Sequence, residues 1–250
     1  MKRGLFLLNV AVIALAFATA SFARGDQNPA FAKANLDYSE GRFQEAIDGY
    51  QSLVHSGEWS ANLFYDLGNA WFRLGNFGEA ILNYERALAL DPHHPEAATN
   101  LTLVRDEARA IELKRNRLER YIEAGTSTQY SIAASIAFWS ALFGAARLFF
   151  LRRRSVALVL LVIFSTAVLA GAVFALYSRE TGSKGRDLAI VTGKNIVARL
   201  ATADNANSVL ALPPGTAIKV LSQRGDWLYA ALPNDLRGWI PANAAQRVRM

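Results

Sequence analysis

The stretch GRFQEAIDGY at residues 41–50 returns as GNFGEAILNY at residues 75–84, an offset of 34 residues. Six of the ten positions are identical, and Asn35 and Asn69 keep the same offset. A fixed period of 34 residues is the length of a helix–turn–helix unit that stacks on its neighbours to bury a continuous core. The glycine that opens each stretch is predicted to end the first helix of its unit, since glycine accepts a positive φ. The repeat therefore predicts an all-α solenoid.

Residues 62–92 resemble the tetratricopeptide repeat (TPR) family. The matching residues are Phe64, Leu67, Gly68, Trp71, Gly75, Phe77, Ala80, Tyr84, Ala87 and Pro92. The resemblance implies a TPR solenoid within residues 24–123, in which the first helices of the repeats line a concave face that holds peptide segments. The preceding repeat, at about 27–60, is degenerate in its first helix, where Lys33 replaces the expected leucine.

The chain after Pro95 is predicted to close the solenoid with a capping helix. A third repeat begins at Pro95, but no second-helix signature follows Leu101. Five apolar residues beyond it fall on one face of a single long amphipathic helix that leads into the membrane. These residues are Val104, Ala108, Ile111, Leu118 and Ile122.

Nine residues are expected to line the concave face of the TPR region. They are Asn28, Phe31, Asn35, Tyr38, Asn62, Tyr65, Asn69, Phe72 and Arg73. Asparagine amides can bond an extended peptide backbone, and aromatic side chains add apolar contact area. The alternative interpretation is that Phe31, Tyr38 and Phe72 only pack between repeats.

The charge of this region indicates the kind of partner. The family's carboxylate clamp is not reproduced, since Phe31, Glu96 and Asn100 stand where the resemblance would place its cations. Residues 24–100 hold 5 Lys and Arg but 11 Asp and Glu. The sequence therefore argues against anionic chaperone tails as ligands and favours a basic or neutral protein partner.

Residues 1–23 are predicted to be a signal peptide. Lys2 and Arg3 precede an apolar run, and small residues follow that suit cleavage after Ala20 or Ala23. The alternative is an uncleaved N-terminal anchor. Both interpretations place the TPR region outside the cytoplasm.

Two apolar runs, residues 124–151 and 155–178, are long enough to span a bilayer as helices. Arg147 and the triplet Arg152, Arg153 and Arg154 cluster at the tip of the hairpin that they form. Because basic loops stay in the cytoplasm, these four arginines predict a two-pass protein with both flanking domains outside.

Residues 186–250 are predicted to form a small all-β barrel. Six short runs rich in β-branched and aromatic residues alternate with turn formers. The region resembles the bacterial SH3-like (SH3b) domain in Pro214-Gly215-Thr216, Gly225-Asp226-Trp227 and Gly238-Trp239-Ile240-Pro241. Trp227, Tyr229 and Trp239 are candidate ligand-stacking residues. The alternative is that the two tryptophans pack in the core or at its rim.

The complete order of segments resembles the TPR/SH3 member of the bacterial aerotolerance-operon (Bat) proteins. The expected fold class is a multidomain membrane protein with an all-α TPR solenoid, a two-helix transmembrane hairpin and a small all-β SH3-like barrel. The resemblance implies an inner-membrane scaffold with both soluble domains in the periplasm. Its implied partners are a MoxR-type ATPase and von Willebrand A-domain membrane proteins, in envelope or oxidative-stress tolerance. The alternative function is a peptidoglycan-binding anchor or sensor that acts through the SH3-like domain.

Composition argues against several other classes of function. The chain has no cysteine and only three histidines, and no acid–base pair or nucleophile constellation stands out. We therefore predict no enzymatic activity, no cofactor and no metal site. The net charge of +6 is not one basic surface, because four of the positive charges are the hairpin arginines, and we predict no nucleic-acid partner.

Overall fold

The computed structural model describes residues 28–114, 117–150 and 155–249. The predicted signal peptide at 1–23 and the arginine triplet at 152–154 lie outside the described residues. The chain divides into two compact units, with the division between Glu107 and Ala108. The first unit is helical, and the second combines helices with a β-sheet.

The first unit contains two helical hairpins followed by a further helix. The helices are α1 (Pro29–Ser39), α2 (Phe43–His55), α3 (Ala61–Arg73), α4 (Phe77–Leu90) and α5 (Pro95–Ala108). Side chains cap two of them: the Ala30 N–H donates to Asn28 Oδ1 at 2.9 Å, and the Leu63 N–H donates to Ser60 Oγ at 3.1 Å. The predicted helix–turn–helix repeat is confirmed.

Glycine fixes two features of this repeat. Gly41 and Gly75 follow α1 and α3 with φ of +80° and +71°, as the offset of 34 predicts. Gly68 allows close helix packing, since a Cβ there would lie 2.8 Å from the ring of Tyr84. The tyrosines at equivalent positions, Tyr50 and Tyr84, are completely buried. The glycine turn and the buried tyrosine therefore occur in both repeats.

The prediction of one continuous capping helix is wrong. Helix α5 ends at Ala108, Arg109 has a φ of 52°, and residues 110–114 are not helical. The main chain of Ile111 instead pairs with the sheet of the second unit, because the Ala217 N–H donates to the Ile111 carbonyl at 3.0 Å. Helical periodicity on one face did not distinguish a single helix from two helices, the first of which is followed by the non-helical residues 110–114.

The second unit contains a short helix and the two apolar helices. These are α6 (Arg117–Glu123), α7 (Ser127–Phe150) and α8 (Val156–Thr181). At about 1.5 Å per residue, α7 and α8 are long enough to cross a bilayer, and their composition is suitably apolar. They pack together closely, since a Cβ at Gly144 would lie 2.7 Å from Val162. The helical state of both predicted runs is confirmed, and their composition is consistent with a membrane protein.

Arg179, near the C-terminal end of α8, ties the apolar helices to α6. Its Nη1 donates to the carbonyls of Ile122, Glu123 and Gly125 at 3.2, 3.3 and 2.7 Å. A cation thus satisfies carbonyls left open at the C-terminal end of α6. The connection between α6 and α7 is therefore fixed by α8.

An antiparallel sheet of seven strands ends the chain. The strands are β1 (Leu188–Val191), β2 (Ile196–Arg199), β3 (Ser208–Leu212), β4 (Ala217–Arg224), β5 (Trp227–Ala231), β6 (Arg237–Pro241) and β7 (Ala245–Arg247). Their spatial order is β3-β2-β6-β5-β4-β1-β7. The six predicted runs are all strands, while β7 was not predicted.

One hydrophobic core lies on the inner face of this sheet. It includes Leu212 from one edge strand and Ala245 from the other, so the sheet curls around a shared core. Within the described residues, however, β3 and β7 do not pair with each other. The structure therefore has an antiparallel sheet domain, and the closed barrel of the prediction is not formed by these pairings.

Candidate peptide-binding groove

The central feature of the candidate groove is a tyrosine–asparagine hydrogen bond that occurs once in each repeat. The Tyr50 hydroxyl donates to Asn35 Oδ1 at 2.7 Å, and the Tyr84 hydroxyl donates to Asn69 Oδ1 at 2.7 Å. Both tyrosines are in the second helix of a repeat and both asparagines are in the first. Since both partners keep the offset of 34, the sequence period carries over to a polar contact.

This bond orients the amides of Asn35 and Asn69. Each carbonyl oxygen accepts a buried hydroxyl, so the Nδ2 group of each residue is directed elsewhere. Among the described residues, neither Nδ2 donates to an acceptor. Asn69 is held more firmly, because Asn100 Nδ2 also donates to its Oδ1 at 3.0 Å. Two amide donors, one repeat apart, are thus available to a ligand.

The predicted aromatic residues pack within their own repeats and stay partly exposed. Phe31 lies 5.9 Å from Tyr50 between ring centroids, and Phe72 lies 5.9 Å from Phe77. Tyr38 meets Phe43 edge-on at 5.4 Å. These ring contacts join the two helices of one hairpin, while Phe31 and Tyr38 also pack against a core cluster that the two repeats share. The residues support the hairpin core and leave part of each ring accessible.

The other four predicted residues differ in their surroundings: one caps a helix, two contact aromatic rings and one is exposed to solvent. Asn28 caps α1 and also donates from Nδ2 to the carboxylate of Glu58. Arg73 lies over the ring of Phe43 at 4.9 Å, a cation–π contact. Tyr65 stacks near the ring of His94 at 5.0 Å, and Asn62 is exposed on α3.

Sequence reasoning missed Asp66. It lies on α3 between Asn62 and Asn69, at spacings of four and three residues, so the three share one helix face. Burial raises the pKa of its carboxyl to about 6, and His94 opposes this shift. Among the described residues no side chain forms an ion pair or hydrogen bond with it. The i, i+4, i+7 spacing from Asn62 was the signal that could have found it.

The aromatic residues of the sheet lie on its outer face. Along β5, Trp227 and Tyr229 alternate with the buried Leu228, and on β6 Trp239 precedes the buried Ile240. Tyr229 and Trp239 are cross-strand partners with ring centroids 5.0 Å apart. The two tryptophans are half-buried and lie on the face opposite the core, an arrangement that agrees with packing at its rim and leaves the ligand-stacking prediction open.

The arginines predicted to fix membrane topology are only partly within the described residues. Arg147 lies in the last turn of α7 and is exposed. Arg152, Arg153 and Arg154 follow the end of α7, outside the described residues.

Comparison with known proteins identifies the second repeat. Residues 61–94 match the family model for the tetratricopeptide repeat. A segment of 83 residues is 26% identical to "Tetratricopeptide repeat protein 16" of Homo sapiens, and equally to the protein of that name in Macaca fascicularis. The match covers 33% of this chain and 10% of each relative. The chain thus contains a TPR repeat, which implies a scaffold for protein–protein interaction of a typically non-enzymatic kind.

Proposed function

We propose that this protein is a membrane-anchored, non-enzymatic scaffold that holds an extended segment of a partner protein in a groove on α1 and α3. The observation that carries the proposal is the pair of unused Nδ2 donors of Asn35 and Asn69. Donors one repeat apart on first helices suit the carbonyls of an extended backbone, while the partly exposed rings of Phe31 and Phe72 suit its side chains.

The proposed location is the bacterial inner membrane, with the TPR region and the sheet domain in the periplasm. The apolar helices α7 and α8 support anchoring, and the basic residues 147 and 152–154 support a cytoplasmic hairpin tip. A signal peptide at residues 1–23 agrees with this orientation. Reporters placed after the TPR region and after the sheet domain test it, and activity of a cytoplasmic reporter at either position would contradict it.

The groove is tested by removing a donor without removing its structural partner. Asn69→Asp keeps an oxygen for the Tyr84 hydroxyl and for Asn100, but it replaces the amide donor with a carboxylate that repels peptide carbonyls. Asn76→Asp, in the turn between α3 and α4, adds the same charge as a control. Crosslinking in the native membrane followed by mass spectrometry should lose partners only in Asn69→Asp. An unchanged partner set would contradict the groove.

The resemblance to the aerotolerance-operon proteins suggests which partner proteins this chain binds. Von Willebrand A-domain membrane proteins and a MoxR-type ATPase are the expected members of the assembly, in envelope or oxidative-stress tolerance. The order of a TPR region, two apolar helices and a C-terminal sheet supports this proposal. Their absence from crosslinked material that contains other partners would contradict it.

A second candidate function is peptidoglycan binding through an SH3-like sheet domain. The outer-face pair Tyr229 and Trp239, with Trp227 nearby on β5, favours it, because exposed aromatic faces stack on ligands. The full chain in detergent should then sediment with purified sacculi. Trp239→Leu should abolish sedimentation, while Trp59→Leu, at an exposed tryptophan of the helical unit, should not. Equal sedimentation of both variants would contradict this function.

A further inference from the structure

Asp66 is a half-buried carboxylate on the same face of α3 as the groove asparagine Asn69. Burial raises the pKa values of Tyr38 on α1, Tyr50 on α2 and Tyr84 on α4, and the charge of Asp66 adds to each shift. The charge of His94, just before α5, lowers the pKa of Asp66. Asp66 therefore lies between the two repeats. Elsewhere in this unit, buried acids have partners: Asp37 binds Arg42, and Glu85 binds Arg105.

The nearby donors are already committed to other acceptors. The Tyr50 and Tyr84 hydroxyl protons go to Asn35 and Asn69, and Asn100 Nδ2 donates to Asn69 and, at 3.5 Å, to Tyr65 Oη. The nearest arginine along the same helix face, Arg73, lies over the ring of Phe43. The groups around this carboxylate thus accept or are occupied, and among the described residues no lysine or arginine pairs with it.

We propose that Asp66 binds the ammonium or guanidinium group of a lysine or arginine side chain in the partner segment that lies on Asn35 and Asn69. This inference rests on the proposed function and specifies its partner class: an extended segment with a basic residue. Charge complementarity supports it, since residues 24–100 carry more than twice as many acidic as basic side chains. A bound cation would replace the water that the half-buried carboxylate has lost, and it would gain a charge-assisted hydrogen bond.

The test measures selectivity for a basic residue with the full chain in detergent micelles. The probes are pools of nonapeptides, acetylated and amidated at their ends, in which the fifth residue is Lys, Arg, Gln or Glu and the others are randomised. Wild-type protein should bind the Lys and Arg pools at least about tenfold more tightly than the Gln pool. Asp66→Asn should reduce that ratio to about one, with unchanged helical circular dichroism.

Two further variants make the result specific. Asp48→Asn removes an exposed carboxylate of α2 that accepts from Gln44, and it should leave the selectivity intact. Asp66→Lys should shift the preference to the Glu pool, a gain that a folding defect cannot produce. A Gln pool with a free N-terminus carries an ammonium group only at its end. Comparing its affinity with that of the acetylated Lys pool shows whether the protein selects a basic side chain or a terminal ammonium.

The outcomes separate this inference from the proposed function. Equal binding of all four pools that is lost in Asn69→Asp overturns the role of Asp66 and leaves the groove intact. The same holds if basic selectivity survives Asp66→Asn, or if only the free N-terminus is selected. Failure of wild-type protein to bind any pool overturns both.

Discussion

The two repeats of the helical unit share one architecture but differ in residues of their first helices. Their buried positions correspond: Ala46 with Ala80, Ile47 with Ile81 and Tyr50 with Tyr84. By contrast, Asp66 of the second repeat corresponds to the exposed Ala32 of the first. The comparison teaches that buried residues shared by the second helices determine the hairpin, while the first helices differ between the repeats at positions such as the half-buried Asp66.

The largest effect should come from removing the buried ring that the repeats share. Tyr50→Ala and Tyr84→Ala should each lower the free energy of unfolding of the helical unit by about 3–5 kcal/mol, because each creates a cavity. Urea unfolding followed by circular dichroism measures both. A cost below about 1 kcal/mol for either variant would break the equivalence of the two repeats.

A smaller loss should follow from a methyl group at a position where the repeats differ. Gly68→Ala adds a Cβ that would meet the ring of Tyr84 at 2.8 Å, whereas the first repeat already has Ala34 at the equivalent position. The free energy of unfolding should fall by about 1–3 kcal/mol, less any gain in helix propensity. Urea unfolding unchanged from wild type would show that the ring can move aside.

Asp66→Asn should stabilise the protein at neutral pH while it destroys basic selectivity. The folded-state pKa is raised to about 6 from 3.8, so the folded protein holds a proton that the unfolded chain has released between these values. Stability from this group is therefore present below about pH 4 and is lost as the pH rises through 6. The variant should gain on the order of 3 kcal/mol at pH 7.5 and nothing at pH 3.5.

The control for this pH dependence is at the equivalent position of the first repeat. Ala32→Asp places a carboxyl on an exposed site, so its stability difference from wild type should not change through pH 4–6. The charge of Asp66 also acts on the hydroxyls of Tyr38, Tyr50 and Tyr84, and the charge of His94 acts on Asp66. A dependence of stability on pH between 4 and 6 that is the same in wild type and in Asp66→Asn would contradict Asp66 as its source.

The smallest effect should come from the repeated hydrogen bond itself. Tyr50→Phe and Tyr84→Phe each remove one hydroxyl and keep the ring, so each should cost about 1 kcal/mol. Asn69 should keep its position in Tyr84→Phe, because Asn100 still donates to it, while Asn35 has no second donor among the described residues. The affinity for the Lys nonapeptide pool should therefore fall more in Tyr50→Phe than in Tyr84→Phe, and isothermal titration calorimetry would measure the difference.

Residue patterns predicted most elements because each pattern reflects a local rule. The offset of 34 located the glycine turns and hairpins, and uninterrupted apolar runs located α7 and α8. Strand β7 escaped because Ala245–Arg247 is too short to show alternation, and its pairing with β1 is a long-range contact. The prediction of a continuous capping helix was wrong because another long-range contact intervenes: the carbonyl of the non-helical Ile111 accepts a hydrogen bond from Ala217 of the sheet.

The sequence points to some residues of the candidate groove. Asn35 and Asn69 were found because repeated residues mark repeated positions, but their acceptor role toward Tyr50 and Tyr84 required the packed helices. Asp66 was missed because an acidic residue in an acidic region is not distinctive in sequence. Its spacing from Asn62 and Asn69 places it on their helix face, but its burial and its lack of a hydrogen-bond or ion-pair partner among the described residues became evident only in the structure.

The sequence by itself determined the period of the helical repeat, the helical state of the two apolar segments and the β character of the C-terminal region. These features depend on side-chain periodicity and on backbone preferences that act over a few residues. The tertiary structure alone decided which described amide groups donate to no other residue, which half-buried carboxylate pairs with no described lysine or arginine, and which face of the sheet carries the aromatic pair. Those properties depend on desolvation and on hydrogen-bond partners brought from distant parts of the chain.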